Sequence, residues 1–238
     1  MDTSNWPKVS CLCIAGKSRY NATVLLPVAV QCFIEQDYPN KELVVVYDDN
    51  WKAVGSVSQR FDCKDVRWHV TDKAPLGALR NKSIEFASSG LLVQWDSDDA
   101  FHPHYVSVMV RTHLQSQLPV FLKRQLVYDL QRDVAAVRSF PKTCIHGANL
   151  LPRGDWRYPE IGATEDTEIL KHFPHVALLD APELYLRMFT GDNTWDRLHV
   201  MREASEWPSG TWMIPERAIE WVREVTSRYS SSDTSVSA

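Results

Sequence analysis

No stretch of these 238 residues approaches the roughly 18 consecutive apolar residues that a membrane-spanning helix requires. A C-x-x-C pair is missing too, and five cysteines is an odd number, so neither a zinc ribbon nor a closed disulfide framework is indicated. Cys11 and Cys13 alternate with apolar residues in VSCLCIAG. That predicts buried free thiols on one face of a strand and suits a reducing compartment. Positive charge is not in excess either. The formal net charge is −4, so no global field draws the chain to nucleic acid or to an anionic membrane, although a local basic cleft stays open. The opening segment MDTSNWPK has no basic n-region and no apolar h-region, and no internal repeat is visible. A cytoplasmic protein is the expectation.

What is present is a globular composition, 44% hydrophobic and 24% charged, on a length that suits one large domain or two joined halves. Val9–Ala15 reads as a buried strand, followed by the loop GKSRYN. Pro27 suits the first turn of a helix through VAVQCFIEQ that stops at Pro39 and Asn40. ELVVVYDD is a β-branched strand buried on both faces, and DVRWHVTD reads as a third strand. LGALRNKSIEFASSG has helical spacing with Gly90 as its stop. LLVQWD is a fourth strand, and HPHYVSVMVRTHLQS a helix with Pro103 near its start. This alternation predicts an α/β layer with a mainly parallel sheet. AGKSR, YDDN and DSDD all fall at the carboxyl ends of strands, where such sheets bind ligands. Further on, FLKRQLVYDLQRDVAAVRSF reads as paired strands, and TCIHGANLLPRGDWRYPEIGATEDTEILKHF as a loop leading to a helix near Thr164. APELYLRMF is a strand ahead of a Gly-Asp-Asn turn. PERAIEWVREVTSRY closes as an amphipathic helix, and the polar end is expected to be disordered.

Three acidic segments carry the chemistry, each with a structural alternative. Asp96 and Asp98 in QWDSDDAFHP offer hard oxygens from one turn, which suit Mg²⁺ or Mn²⁺ bound together with a substrate's phosphates. In the alternative, Asp99 caps the helix near Pro103 and Asp96 is solvated. In ATEDTE, Glu165, Asp166 and Glu168 either complement a helix N-terminus or make Asp166 a general base beside Glu165. In YDDN, Asp48 or Asp49 either forms a turn or accepts from a nucleobase. Arg80 and Asn81 are either surface residues or, for Arg80, a phosphate contact.

In order, CFIEQDYPNKELVVVYDDN, LGALRNKSIEFASSGLLVQWDSDDAFHP and RYPEIGATEDTEIL resemble the inverting glycosyltransferases of family 2. That family shows a helix ending Q-x-Y-P-N, a strand ending D-D, an R-N-x-x-x-x-x-A-x-G helix, D-x-D-D before a proline, and a later E-D pair. Order and spacing agree over roughly residues 9–199. The resemblance implies the GT-A fold (nucleotide-diphospho-sugar transferase), with residues 1–110 as the nucleotide-sugar half, 111–229 as the acceptor and catalytic-base half, and 230–238 as a tail. It further implies that Ala15, Gly16 and Arg19 line the nucleotide loop, that Asp48 or Asp49 contacts a base, usually uracil, and that Arg80 lies near the diphosphate. Asp96, Ser97 and Asp98 form the D-x-D, with Asp98 the main metal ligand. Asp166 is the base, Glu165 its neighbour, and His199 a candidate to approach the metal from a late loop. Two departures are visible: the first loop reads IAGKSR where P-T-Y-N-R-like runs are common, and no Q-x-x-R-W motif is present. A single transfer from a UDP-sugar, rather than processive synthesis, is therefore expected.

The acceptor stays open among a saccharide, a protein side chain, a small molecule and a hydroxymethylated DNA base. For DNA, FLKRQ with Arg132, Arg138, Arg153 and Arg157 would supply a basic rim. His146 is a candidate on the acceptor side. Trp95, Trp156 and Trp195 lie nearest the expected cleft, with core packing as the plainer role for each. The competing functions are a nucleotidyltransferase, which leaves EDTE unexplained, and a noncatalytic nucleotide-sugar-binding module.

Overall fold

The computed structural model describes residues 6–16, 18, 20–48, 52–139, 145–191, 193 and 195–231. Its first half is built on β1 (Val9–Ile14), β2 (Lys41–Asp48), β3 (Val66–Thr71) and β4 (Leu91–Gln94). β1 pairs in parallel with β2 and β4, and β2 with β3. β5 (Ala100–Phe101) follows, then β6 (Val120–Leu122), β7 (Arg124–Asp129), β8 (Val134–Ser139), β9 (Ile145–Pro152), β10 (Ala177–Leu179), β11 (Tyr185–Phe189) and β12 (Trp212–Met213). The larger sheet has the order β10-β6-β9-β4-β1-β2-β3. Only β9 runs against its neighbours there, pairing antiparallel with both β4 and β6. The smaller sheet has the order β12-β8-β7-β11-β5.

Side-chain alternation in β1 and β2 explains the layers. Cys11, Cys13, Leu43 and Val45 enter the larger core, while Leu12, Ile14, Val44 and Val46 enter a second one. The helices are α1 (Leu26–Ile34), α2 (Lys52–Arg60), α3 (Leu76–Phe86), α4 (Tyr105–Ser116), α5 (Glu165–Ile169), α6 (Arg197–Met201) and α7 (Glu216–Ser231). Residues of α1, α4 and α7 fill the first core, and those of α3 and α5 the second. The expected α/β architecture with a mainly parallel sheet is present. Cys11 and Cys13 are buried free thiols, and burial pushes both well above the ordinary thiol value.

Several local expectations need correction. The helix expected from Pro27 begins earlier, with a π-helical turn at Asn21–Leu25 in which the Leu26 N–H donates to the Asn21 carbonyl. Pro27 therefore lies within a longer helix, where it has no N–H to give. α2 has no counterpart in the sequence reading, because Gly55, Ser56 and Ser58 are poor helix formers that mask buried Val54 and Val57. α3 ends at Phe86, with Ala87 already extended, so Gly90 is not its stop. β9 replaces the first part of an expected loop, its period hidden by Gly147 and Asn149. The expected tail starts inside α7, which runs to Ser231, and residues 232–238 lie outside the described ones.

Asp99 does not cap α4, whose N-terminal residue His104 makes no side-chain cap bond. Instead the Asp99 carboxylate accepts from the Tyr185 hydroxyl and, at 3.0 Å, from the Met188 N–H, tying β11 to the end of β4. Nor do the four arginines form one basic rim. Arg132 donates to the carbonyls of Ser205 and Trp207, and Arg138 is buried with Nη1 on the Val200 carbonyl. Arg153 donates to the Ala87 carbonyl beside the amino end of β4, the end opposite DSDD, and Arg157 donates to the carbonyls of Gly154 and Trp156. Among the described residues no helix is long and apolar enough to cross a membrane.

Candidate active site

Chain order reverses between β1 and β4: β2 and β3 continue to one side of β1, and β4 lies on the other. Ligands of open α/β sheets bind at such a switch point, outside the strands' carboxyl ends. A cavity of about 370 Å³ opens there. One wall is Ala15, Gly16, Ser18 and Asn21, and Asp96, Ser97 and Asp98 form the floor. Leu76, Leu79 and Arg80 with the 162–166 segment make a second wall, and Arg187, Thr190, Asn193 and Trp195 a third.

The floor is held from both sides. The Gly16 N–H donates to Asn21 Oδ1 at 2.8 Å and to Ser97 Oγ at 3.1 Å. A Cβ on Gly16 would stand 2.3 Å from Asn21 Cγ, so this close approach requires glycine. Arg80, on α3 and 8% exposed, donates from Nε to Glu165 Oε1 at 2.8 Å and from Nη2 to Asp96 Oδ1 at 3.1 Å. Burial alone would weaken its protonation, but Asp96 first, with Tyr158, Glu165 and Asp166, outweighs it and raises its pKa. Arg80 thus ties up two of the four carboxylates and joins DSDD to EDTE. Glu165 is 2% exposed, whereas Asp166, one residue on, stands half-buried on the cavity wall and makes no ion pair among the described residues.

α3 also sets the approach to Asp166. Asn81 exchanges two hydrogen bonds of 2.9 Å with the backbone of Tyr158. The Gly77 N–H donates to the Ile161 carbonyl at 3.0 Å, and a Cβ there would lie 1.8 Å from the Pro159 carbonyl oxygen. Thr164, just before α5, has φ of 67°, a left-handed conformation unfavourable for a β-branched residue.

Asp98 faces the cavity half-buried, and its carboxyl is pushed up to about 6 by burial and then by Asp96. Asn193 Nδ2 donates to it at 3.2 Å. A carboxylate unfavourably charged in isolation suits a divalent cation, which would restore its ionised form. Among the described residues no group of three or more His, Cys, Asp and Glu side chains could hold a metal. The carboxylates Asp96 and Asp98 on the floor would serve only an ion that takes one or two protein oxygens and completes its shell with phosphates and water.

The family model described as Glycosyl transferase family 2 matches residues 19–140, just over half of the chain. The chain belongs to this family. Curated relatives include EpsH of Bacillus subtilis strain 168, described as a glycosyltransferase, 30% identical over 95 residues that make up 39% of this chain and 28% of EpsH. The glycosyltransferase GlyA of Streptococcus pneumoniae serotype 4 is 29% identical over 103 residues, 42% of this chain and 15% of GlyA. The aligned region is thus less than a third of either relative. Among solved structures, S. aureus TarS 1–349 in complex with UDP-GlcNAc superposes with a TM-score of 0.63 at 15% identity, covering 93% of this chain and 66% of that one. The mannosyltransferase PcManGT from Pyrobaculum calidifontis, in complex with GDP-Man and Mn²⁺, gives 0.58 at 14% identity, with coverages of 81% and 59%. The fold is that of the GT-A glycosyltransferases.

Against this family 2 framework, the structure brings Ala15, Gly16, Arg80, Asp96, Ser97, Asp98, Glu165 and Asp166 together around the cavity. Asp48, 3% exposed at the end of β2, is not on its wall. Arg19, Asp49 and the His146 side chain lie outside what is described. His199 does not itself line the cavity, but its ring stacks at 4.4 Å on Trp195, which does. Trp95 and Trp156 are core residues, the first stacked on Phe101 with its N–H on the Ala29 carbonyl, the second packed against Tyr158 and Phe173. Of these three tryptophans only Trp195 faces the cleft. Sequence reasoning passed over Asn21, Gly77 and Arg187. Gly77 acts through its backbone and the Asn21 side chain through the Gly16 N–H and Ser97, and neither leaves a spacing signal. Arg187 sits in YLRMF as one polar residue on an otherwise buried strand, which was a readable sign.

Proposed function

We propose that the chain transfers one sugar from a nucleotide-sugar, most simply a UDP-sugar, to an acceptor hydroxyl with inversion at the anomeric carbon. Arg80 carries this reading. By pairing with Asp96 and Glu165 it leaves Asp98 and Asp166, among the described residues, as the cavity carboxylates without an ion pair, one suited to a cation and one to a proton. Two likenesses support it: TarS was solved with UDP-GlcNAc, and PcManGT with GDP-Man and Mn²⁺.

Asp166 accepts the proton of the acceptor hydroxyl as that oxygen bonds to the anomeric carbon. The bond from that carbon to the diphosphate oxygen breaks on the opposite face, and its electron pair leaves with the nucleoside diphosphate. Asp98, with Asp96 beside it, would hold Mg²⁺ or Mn²⁺. When bound, the ion would offset charge on the leaving diphosphate. Ala15, Gly16 and Ser97 shape the donor wall. Residues 1–110 supply most of the donor side, and Asp166 stands in the 111–229 half. Trp195, exposed at the mouth, offers an aromatic face to the acceptor, which is a saccharide, a small molecule or a modified base.

The test is a thermal-shift panel of UDP, GDP, CDP and dTDP and their sugars, with and without Mn²⁺. A ligand at a hundred times its dissociation constant stabilises by about 2.7 kcal/mol, a shift of roughly 5–10 °C for a chain of this size. We expect one nucleotide to give that shift only with metal, and Asp98→Ala to remove the metal requirement together with the shift. No response to any nucleotide would refute donor binding.

A further inference from the structure

Arg187 lines the same cavity from β11, and among the described residues its guanidinium makes no hydrogen bond and no ion pair. Arg80, across the floor, has already committed donors to Asp96 and Glu165. Of the two arginines described on the cavity wall, Arg187 is therefore the one with an unused fork of donors. Its position follows from register. Arg187 lies beside Val127 in the parallel β11–β7 pair, and Gln125, two residues back on β7, lies opposite Arg138 on β8. Arg187 and Arg138 thus share one face of the smaller sheet.

That face carries like charge. Arg138, 4% exposed, has its pKa pushed down to about 10, by burial first and then by Arg187 and Arg202. His199 is lowered by burial and by the same three arginines. Acidic groups lie on the other side of Arg187: burial would lower its pKa, but Asp99 first, then Tyr185, Asp98 and Asp96, raises it. Arg187 stands on the cavity wall between the acidic floor and a cationic flank. An anion entering beside Asp98 would pair with the Arg187 donors and relieve the repulsion behind them.

We propose that Arg187 binds the diphosphate of the donor and donates hydrogen bonds to the leaving oxygen as it takes up the electron pair of the glycosidic bond. This rests on the donor reading above and adds the residue that recognises the leaving group. A guanidinium fork matches two phosphate oxygens at once, and it does so without desolvating a second carboxylate.

The experiment is calorimetric titration, with Mn²⁺ present throughout, of uridine and UDP, and of guanosine and GDP, into the unaltered protein, Arg187→Gln and Arg187→Lys, with melting temperatures recorded alongside. In Arg187→Gln the diphosphate is expected to bind about ten- to a hundredfold more weakly while the matching nucleoside binds as before. Arg187→Lys should fall between, since it keeps the charge without the fork. Equal losses for nucleoside and diphosphate would show a structural role and overturn the proposal, as would unchanged affinity for both. If Arg187→Gln does not fold, the Arg187→Lys ratio decides in the same way. If the unaltered protein binds neither UDP nor GDP, the donor reading itself fails and takes this proposal with it. Binding in the unaltered protein with an unchanged ratio in the variants overturns Arg187 alone.

Discussion

At the residue scale, the division of labour among the carboxylates turns on which of them Arg80 reaches. Glu165 and Asp166 are adjacent in sequence, yet one is buried against a guanidinium and the other opens on the cavity. In Asp166→Asn the fold and donor binding should persist, because among the described residues that carboxylate accepts only a long 3.5 Å hydrogen bond from its neighbour Thr167. Turnover should fall by about a hundredfold or more, the scale of a lost general base. A rate near that of the unaltered enzyme, measured at saturating donor, would place the base elsewhere. Asp99, only one residue from Asp98, serves structure instead: buried, it accepts from Tyr185 and Met188, and burial followed by the Asp98 and Asp96 charges raises its pKa well above the ordinary value.

At the scale of elements, α3 is the hub. Its Gly77, Arg80 and Asn81 contact the loop over 158–161, Asp96 and Glu165. The obstacle to a side chain at Gly77 is a carbonyl of the main chain, which cannot rotate away. Gly77→Ala should therefore cost about 3 kcal/mol, at the upper end of overpacking penalties. Differential scanning calorimetry should show melting lowered by roughly 6–12 °C. An unchanged melting temperature would mean that the 158–161 loop moves freely. α3 also shows how far the sequence could be read. LGALRN announced a helix with an arginine near its start, because period and charge are local signals. The partners of that arginine were not legible, since Glu165 lies 85 residues away and nothing local encodes the pairing. The parallel strands β1, β2 and β4 were visible as apolar runs. β9 and α2 were not, because glycine, serine and asparagine blur their periods and tertiary packing decides them. The D-x-D and E-D segments stood out as acidic clusters, whereas the roles of Asn21 and Gly16 depend on backbone approach.

For the molecule as a whole, the end of the sheet opposite the cavity carries its own polar lock. Glu42, 2% exposed on β2, accepts from Lys8, Ser10 and the Ser88 N–H, and pairs with Arg67 at 3.0 Å. Burial alone would raise its carboxyl, but the donors from Lys8, Ser10 and Ser88 outweigh it and hold it at about 2, against an ordinary 4.5. Because the folded value is the lower one, this stabilisation is complete above about pH 4.5 and is lost as the pH falls towards 2. Glu42→Gln should melt below the unaltered protein at neutral pH. The gap should close over that acid window, and a gap independent of pH would show that Glu42 is not ionised in the fold.

The joints that complete the cavity span long stretches of chain. Asn81 meets Tyr158 across 77 residues, Arg80 meets Glu165 across 85 and Asp99 meets Tyr185 across 86. On the ribosome, the DSDD turn therefore emerges long before its partners are made. Until α5 is synthesised Arg80 has only one of its two carboxylates, and until β11 follows Asp99 has no Tyr185 hydroxyl to accept from. Closures of this length are slow to form and leave strand edges exposed meanwhile. The nascent protein thus holds a nearly finished parallel sheet before the joints around its cavity can close.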